Sequence, residues 1–176
     1  MQNNQALKNI TITAVCIAMC VLLPQLFHLI PGAGKLFSPI HIPVLICGLA
    51  CSWQYGLICG VSGVVLSSLI MSMPTLAQLP SMTCECAVYG ISAALLLKLF
   101  GRGRSYQGLY LSLVFAMLAG RVAGGVAKAI LLTNEYSFSI WVKGYFITAF
   151  PAILLHLLII PPILRSLTRA GFIGEK

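Results

Sequence analysis

Five ionisable side chains stand within or beside long apolar runs of this sequence, where charge is costly. Arg121 and Lys128 share one run, and Glu85 begins another. His156 lies midway along a third run, and His41 precedes a fourth. A charge inside a membrane span costs about 2.5–3.5 kcal/mol on insertion scales, so such residues usually face a cavity or a partner. If these side chains converge, they form a polar pocket in an apolar wall, as small-molecule sites usually do.

The chemical types of these residues, and the spacing of the two basic ones, indicate which ligand groups the pocket would bind. Arg121 and Lys128 are two turns apart and lie on nearly the same face of a helix. Their side chains suit an anionic or hydrogen-bond-accepting group, whereas Glu85 could pair with an amine or a ring N–H. Aromatic side chains could stack on a heteroaromatic ring. The candidate substrate-binding residues are Phe37, His41, Met82, Glu85, Tyr89, Arg121, Lys128, Trp141 and His156.

Each of these residues also has a purely structural interpretation. An ion pair of Glu85 with Arg121 or Lys128 could do no more than tie two helices together. Lys128 could extend to the outer membrane interface, and His156 could be a hydrogen-bonding residue between helices. The segment from Gly120 to Gly124 also fits the small-x-x-x-small pattern of helix contacts. The sequence alone leaves these alternatives open.

Enzymatic, metal-binding and nucleic-acid functions lack their usual motifs. The chain has no Asp and three Glu, and H-E-x-x-H, G-x-S-x-G and Walker sequences are absent. Its seven cysteines form no C-x-x-C pair and no zinc-type spacing with His, so we expect no metal and no cofactor. The net charge of +8 comes from basic residues spread singly between apolar runs, unlike the contiguous stripe of nucleic-acid readers. These absences favour a binding protein without catalytic activity.

The elements that carry these residues are predicted to be transmembrane helices. The chain is 59% hydrophobic and 8% charged, with a mean hydropathy of +0.98, whereas soluble domains have about 25% charged residues. We predict one all-α transmembrane domain over residues 1–176. The second of its spans is only ten residues long, about 15 Å as a helix, so it must either borrow from the preceding loop or lie in a thinned, protein-lined region. The six predicted spans are Ile10–Ile30, Val44–Trp53, Tyr55–Met73, Met82–Phe100, Leu109–Leu132 and Val142–Leu164.

The distribution of Lys and Arg between the loops predicts the orientation. With the N-terminus inside, the inner loops and ends hold seven basic residues and the outer loops hold two. Both termini are therefore predicted to be cytoplasmic, and loops 31–43, 73–82 and 133–141 to face outside. The inner set is Lys8, Lys98, Arg102, Arg104, Arg165, Arg169 and Lys176, and the outer set is Lys35 and Lys143.

Several segments, in this order, carry a family resemblance over nearly the whole chain. They are Ala14-x-x-x-Ala18, Phe37-Ser-Pro-Ile-His-Ile-Pro43, Met73-Pro, Cys84-Glu-Cys-Ala-Val-Tyr-Gly90, Ala119-Gly-Arg-Val-Ala-Gly124 and Phe150-Pro…Ile160-Pro. With six spans in fewer than 180 residues, the chain resembles the substrate-binding S component (EcfS) of an energy-coupling factor (ECF) type vitamin transporter. The resemblance implies a six-helix S-component fold in a multi-pass protein of the bacterial cytoplasmic membrane.

The resemblance also implies partners and a mechanism. Its ligand site would lie near the outer face, covered by loops 31–43 and 73–82. Ala14 and Ala18 would dock on the membrane-embedded T subunit (EcfT) of an ECF-type ABC importer. That subunit carries two cytoplasmic ATPases (EcfA-type), whose hydrolysis of ATP would drive the S component to topple and open inward.

The residue mix favours a pyridoxine-type vitamer as the ligand, with pantothenate or a folate-type compound as close competitors. Two other interpretations stay open. An autonomous small transporter or channel would act without ATPases, although no internal repeat is evident. An assembly subunit would use its polar residues only to lock helices together.

Overall fold

The computed structural model describes residues 2–28, 33–100, 105–131 and 136–173, and these ranges are helical with no strand. Arg102, Arg104, Glu135 and Lys176 lie outside the described residues. The helices are α1 Gln2–His28, α2 Ala33–Phe37, α3 His41–Ala50, α4 Trp53–Met71, α5 Leu79–Phe100, α6 Tyr106–Leu131, α7 Phe138–Val142 and α8 Phe150–Arg169, with a π-helical turn at Lys143–Ile147 between α7 and α8.

Five of these helices, α1, α4, α5, α6 and α8, are long and apolar enough to cross a membrane. The predicted all-α polytopic membrane fold is therefore confirmed. The predicted second span is α3, a ten-residue helix in which every residue is buried. It begins at His41 inside the predicted loop and ends at Ala50, so it is no longer than the predicted run, and its complete burial agrees with the alternative of a protein-lined segment. At about 15 Å it is too short to cross the bilayer by itself.

The predicted sixth span starts differently from the expectation. Residues 138–147 form the short helix α7 and the π-helical turn, and the membrane-crossing helix α8 begins only at Phe150. Pro151 lies in the first turn of α8, where a missing N–H costs nothing, so it starts the helix and does not bend it. Pro161 and Pro162 lie inside α8.

Glycines allow the helices around α5 to approach closely. A Cβ atom at Gly90 of α5 would collide with the carbonyl oxygen of Gly56 in α4, and a Cβ at Gly60 would collide with that of Cys86. Gly48 of α3 faces Gly90 as well, because its Cβ would lie 2.6 Å from the Gly90 carbonyl oxygen. These glycines therefore let α3 and α4 pack closely on α5.

The start of α1 and the end of α8 meet at one end of the bundle. The Lys8 Nζ donates a hydrogen bond to the Gly171 carbonyl oxygen, 3.0 Å away. The start of α1 and the end of α8 therefore lie on the same side of the bundle, and the side of the membrane that this end faces stays a prediction. At the opposite end lie the top of α1, the connection between α4 and α5, and the π-helical turn, and these surround the site described next.

Candidate functional site

A cavity of about 430 Å³ opens at the end of the bundle away from both termini. Ligand pockets usually measure about 300–1,000 Å³, so a small molecule fits. Its wall comes from nearly every element that reaches this end. The lining residues are Pro24, Gly34, Ser38, Pro39, Ile40, His41, Met73, Pro74, Thr75, Gln78, Ser81, Met82, Glu85, Arg121, Lys128, Gly144, Tyr145 and Ala149.

Glu85 lies in the second turn of α5 and is buried, with 6% of its surface exposed. The Tyr89 hydroxyl, one turn further along α5, donates a hydrogen bond to Glu85 Oε1 over 2.8 Å. The Nε2 atom of His41 lies 3.9 Å from the same oxygen. Both contacts involve Oε1, so Oε2 is left on the side of α6, where it faces Gly124.

One histidine, His41, lies beside this carboxylate, and a second, His156, lies against His41. His41 was expected in a loop, but it is the first residue of α3 and is buried because that helix begins there. Its ring contacts the Tyr89 ring edge-on at 5.0 Å and the His156 ring at 6.1 Å between centroids. His156 is buried in α8, next to the backbone of Phe37. No nitrogen of either ring has a hydrogen-bond partner of normal geometry among the described residues.

Arg121 is held in the wall by two aromatic residues near the π-helical turn. Its side chain is 3% exposed, and its guanidinium carbon lies 5.8 Å from the centre of the Phe146 ring. The indole N–H of Trp141 donates a hydrogen bond to the Arg121 carbonyl oxygen over 3.1 Å. Gly125 makes this contact possible, because a Cβ there would collide with the indole. These contacts fix the backbone and the guanidinium of Arg121.

Lys128 reaches the same cavity from two turns further along α6. Its Nζ atom lies 5.0 Å from the centre of the Tyr145 ring, a cation–π contact. Gly124 lies between Glu85 and Tyr145, and a Cβ added there would be 2.9 Å from Glu85 Oε2 and 3.0 Å from the Tyr145 hydroxyl. The glycines of α6 therefore make room for polar side chains from two neighbouring elements.

Helix-tying ion pairs of Glu85 with Arg121 or Lys128 are not formed. Neither basic side chain has a nitrogen within 4.0 Å of the Glu85 carboxylate, whose close basic neighbour is His41. Both are near enough to act on Glu85 electrostatically. At the edge of the site, burial raises the pKa of the Tyr136 phenol, and the Glu85 charge acts in the same direction.

The nine predicted binding residues occupy three kinds of position. His41, Met82, Glu85, Arg121 and Lys128 line the cavity. Tyr89 and His156 lie directly behind it, in contact with His41. Phe37 and Trp141 are outside the wall: Phe37 packs on Phe27 at 5.6 Å, and Trp141 packs between Phe138 and Phe146.

Two functional candidates were not predicted from the sequence, namely Tyr145, which lines the cavity, and Phe146, which contacts Arg121. Tyr145 follows Trp141 by four residues, a spacing that could have indicated one helical face pointing at the site. The predicted docking residues, Ala14 and Ala18, are both exposed on α1. Their neighbours Thr13 and Cys16 are buried against the bundle. The patch formed by Ala14 and Ala18 therefore lies on the side of α1 that faces away from the other helices.

Comparison with known proteins decides the family. The family described as "ECF transporter, substrate-specific component" matches residues 8–164, which include all five long helices wholly or in large part. The chain belongs to this family. No curated protein and no solved structure matches it. As an ECF substrate-specific component (S component), it is a substrate-binding transport subunit and a multi-pass membrane protein.

Trp141 provides a first test of how the S component positions Arg121. Replacing it with Phe keeps a ring against Gly125 but removes the hydrogen bond to the Arg121 carbonyl oxygen. A net hydrogen bond contributes about 0.5–1.5 kcal/mol, so we expect Trp141→Phe to weaken ligand binding by about two- to tenfold, measured by isothermal titration calorimetry. The other tryptophan, Trp53, is 39% exposed and far along the chain from the site, so Trp53→Phe is the matched control. Equal affinities for the two variants would contradict a positioning role for Trp141.

Proposed function

We propose that this S component captures a small water-soluble vitamin or vitamin precursor from outside the cell and delivers it inward as part of an ECF-type ABC importer. The single observation that carries the proposal is the cavity of about 430 Å³ between α5, α6 and the π-helical turn. It is open at the end opposite both termini, and its wall holds Glu85, Arg121 and Lys128. Buried charges are costly unless they have a function or a partner.

The partners in this proposal are a membrane T subunit and two cytoplasmic ATPases, in the bacterial cytoplasmic membrane. The chain has no Walker sequence, so it needs an external source of energy to move its ligand against a gradient. The exposed Ala14–Ala18 patch supports docking on α1, because small residues let another helix approach closely. Orientation with both termini cytoplasmic directs the cavity outward, toward the incoming ligand.

For the ligand, the residue types favour a pyridoxine-type vitamer, with pantothenate or a folate-type compound as alternatives. A pyridoxine-type ring has an N–H for Glu85 and an acceptor oxygen for Arg121. The aromatic residues expected to stack on such a ring contribute less than predicted, because Phe37, Tyr89 and Trp141 are outside the cavity wall. The wall nevertheless offers the ring of Tyr145 and the edge of His41.

Thermal-shift screening of the detergent-purified chain against water-soluble vitamins and their precursors tests the proposal. A ligand at one hundred times its Kd stabilises a folded protein by about 2.7 kcal/mol, which raises the melting temperature by several degrees. We expect one compound or one close chemical series to do this. If no vitamin or precursor raises the melting temperature, the proposed function is wrong. Transport by the chain alone in liposomes would instead favour an autonomous transporter.

A further inference from the structure

The wall of the cavity carries more positive than negative charge. Arg121 and Lys128 each contribute a full positive charge, and Glu85 contributes one carboxylate. That carboxylate is already engaged on Oε1 by the Tyr89 hydroxyl at 2.8 Å and lies 3.9 Å from His41. Within the described part of the chain, no carboxylate oxygen lies within 4.0 Å of Arg121 or Lys128. The two cations therefore lack an anionic partner there.

Aromatic rings hold these cations in place without neutralising them. The Arg121 guanidinium carbon lies 5.8 Å from the Phe146 ring centre, and the Lys128 Nζ lies 5.0 Å from the Tyr145 ring centre. A ring face attracts a cation through its quadrupole but accepts none of its charge. Because Tyr145 and Phe146 are consecutive residues of the π-helical turn, this one segment orients both cations. Their charge and their N–H groups stay available to a ligand.

The lack of an anionic partner is clearest for Arg121. Its side chain is 3% exposed, and its Nε atom is buried with no hydrogen-bond partner among the described residues. A buried charge without a partner is unfavourable, and a guanidinium is best satisfied by two parallel bonds to a carboxylate or phosphate. An anionic oxygen group in the cavity would supply that missing partner.

We infer that the ligand of this S component carries a formal negative charge, on a carboxylate or phosphate, which binds to Arg121 with support from Lys128. The inference rests on the proposed function and narrows it to a substrate class. This changes the order of the candidate ligands, because compounds with an acidic group now come before uncharged pyridoxine. These compounds are pantothenate, a folate-type compound and a pyridoxine-type ring with an acidic substituent. Glu85 and His41 would bind the polar groups at the other end of the ligand.

Matched pairs of ligands that differ in this one group test the inference by isothermal titration calorimetry on the full chain. The pairs are pantothenate with panthenol, 4-pyridoxate with pyridoxine, and pyridoxal phosphate with pyridoxal. In any pair that binds, we expect the anionic member to bind about ten- to hundredfold more tightly, as a charge-assisted bond requires. The first two pairs report on a carboxylate and the third on a phosphate.

Variants that remove one positive charge then test whether Arg121 and Lys128 cause this difference in affinity. Arg121→Gln is expected to bring the affinity ratio of the pair close to one, because the anionic member loses more affinity than the uncharged member, and Lys128→Gln is expected to reduce the ratio less. Arg165→Gln is the matched control, because Arg165 makes the same kind of contact, with Tyr106 at 4.2 Å, outside the cavity. The Arg165→Gln variant should show the same affinity ratio between the two ligands of a pair as the unchanged protein.

Three outcomes would overturn the inference. The uncharged member of a pair could bind as tightly as the anionic member, in which case the proposed function stands and the anionic class is wrong. Arg121→Gln and Lys128→Gln could both leave the ratio unchanged, which would remove these residues from recognition. If none of the six compounds binds and the wider vitamin screen is also negative, the inference and the proposed function fail together.

Discussion

A tryptophan at Ala14 or Ala18 is expected to abolish vitamin uptake and to leave ligand binding unchanged. Both alanines are exposed on α1, and the cavity lies between other elements at one end of the bundle. An indole there adds bulk to a surface that would have to approach a neighbouring helix closely. Uptake of labelled ligand by cells that contain the T subunit and ATPases, together with calorimetry on the purified variant, measures the two properties separately.

The matched control for this experiment is Ala129→Trp. Ala129 is also an exposed alanine on a long helix, but it belongs to α6 and is not in the cavity wall. Uptake should continue in this variant at a rate near that of the unchanged protein. If Ala14→Trp instead destroyed ligand binding, the patch would be needed for the fold of the chain, and its proposed role in docking would be wrong.

Replacing Gly90 with Ala is expected to lower the stability of the protein strongly. A Cβ at this position would collide with the backbone of Gly56, so α4 and α5 would have to move apart. Overpacking costs about 1–3 kcal/mol and more where the obstacle is backbone. We expect a melting temperature lower by about 10 °C, or no folded protein in detergent.

Gly144→Ala is the control for Gly90→Ala, because nothing lies within 4 Å of a Cβ added at Gly144. Its melting temperature should stay within about 2 °C of the unchanged protein. A Gly90→Ala variant as stable as Gly144→Ala would contradict the close packing of α4 on α5. Thermal unfolding of the two variants, purified in the same detergent, provides the comparison.

Much of the fold could be predicted from hydrophobic runs because each long helix has apolar residues both on the face toward lipid and on the face packed inside the bundle. The ends of α4, α5 and α6 lie within about three residues of the predicted limits, a usual error for helix ends. The length of the second run showed that ten residues cannot span the bilayer, but it did not decide between extension into the preceding loop and a protein-lined position. The helix α3 starts in that loop, yet it remains ten residues long and every one of its residues is buried.

The region of residues 138–149 was harder to predict because hydropathy does not distinguish a crossing helix from a helix that lies beside the site. A run that begins at Val142 looks continuous with α8, yet the π-helical turn ends at Ile147 and α8 starts after a break. The turn is closed by a hydrogen bond from the Thr148 N–H to the Lys143 carbonyl oxygen over 2.8 Å. This bond spans five residues, and no sequence pattern announces it.

The charged residues of the site could be predicted from the sequence, but its aromatic residues could not. Rare charges in apolar runs, such as Arg121 and Glu85, stand out in the sequence and line the cavity. Aromatic residues are common in membrane helices, so their number gives no indication of which ones face a ligand. Phe37 and Trp141 were expected to stack on the ligand and lie outside the wall, whereas Tyr145 contributes to it. Only the packing of α7 and the π-helical turn on α6 separates these roles.

An experimental structure of the full chain with its ligand would show whether the substrate binds in the cavity beside Arg121. We expect ligand density in the cavity, with an anionic oxygen about 3 Å from the Arg121 guanidinium and a polar group near Glu85. If the ligand were bound elsewhere on the chain, without contact to Arg121 or Glu85, the cavity would not be the substrate site.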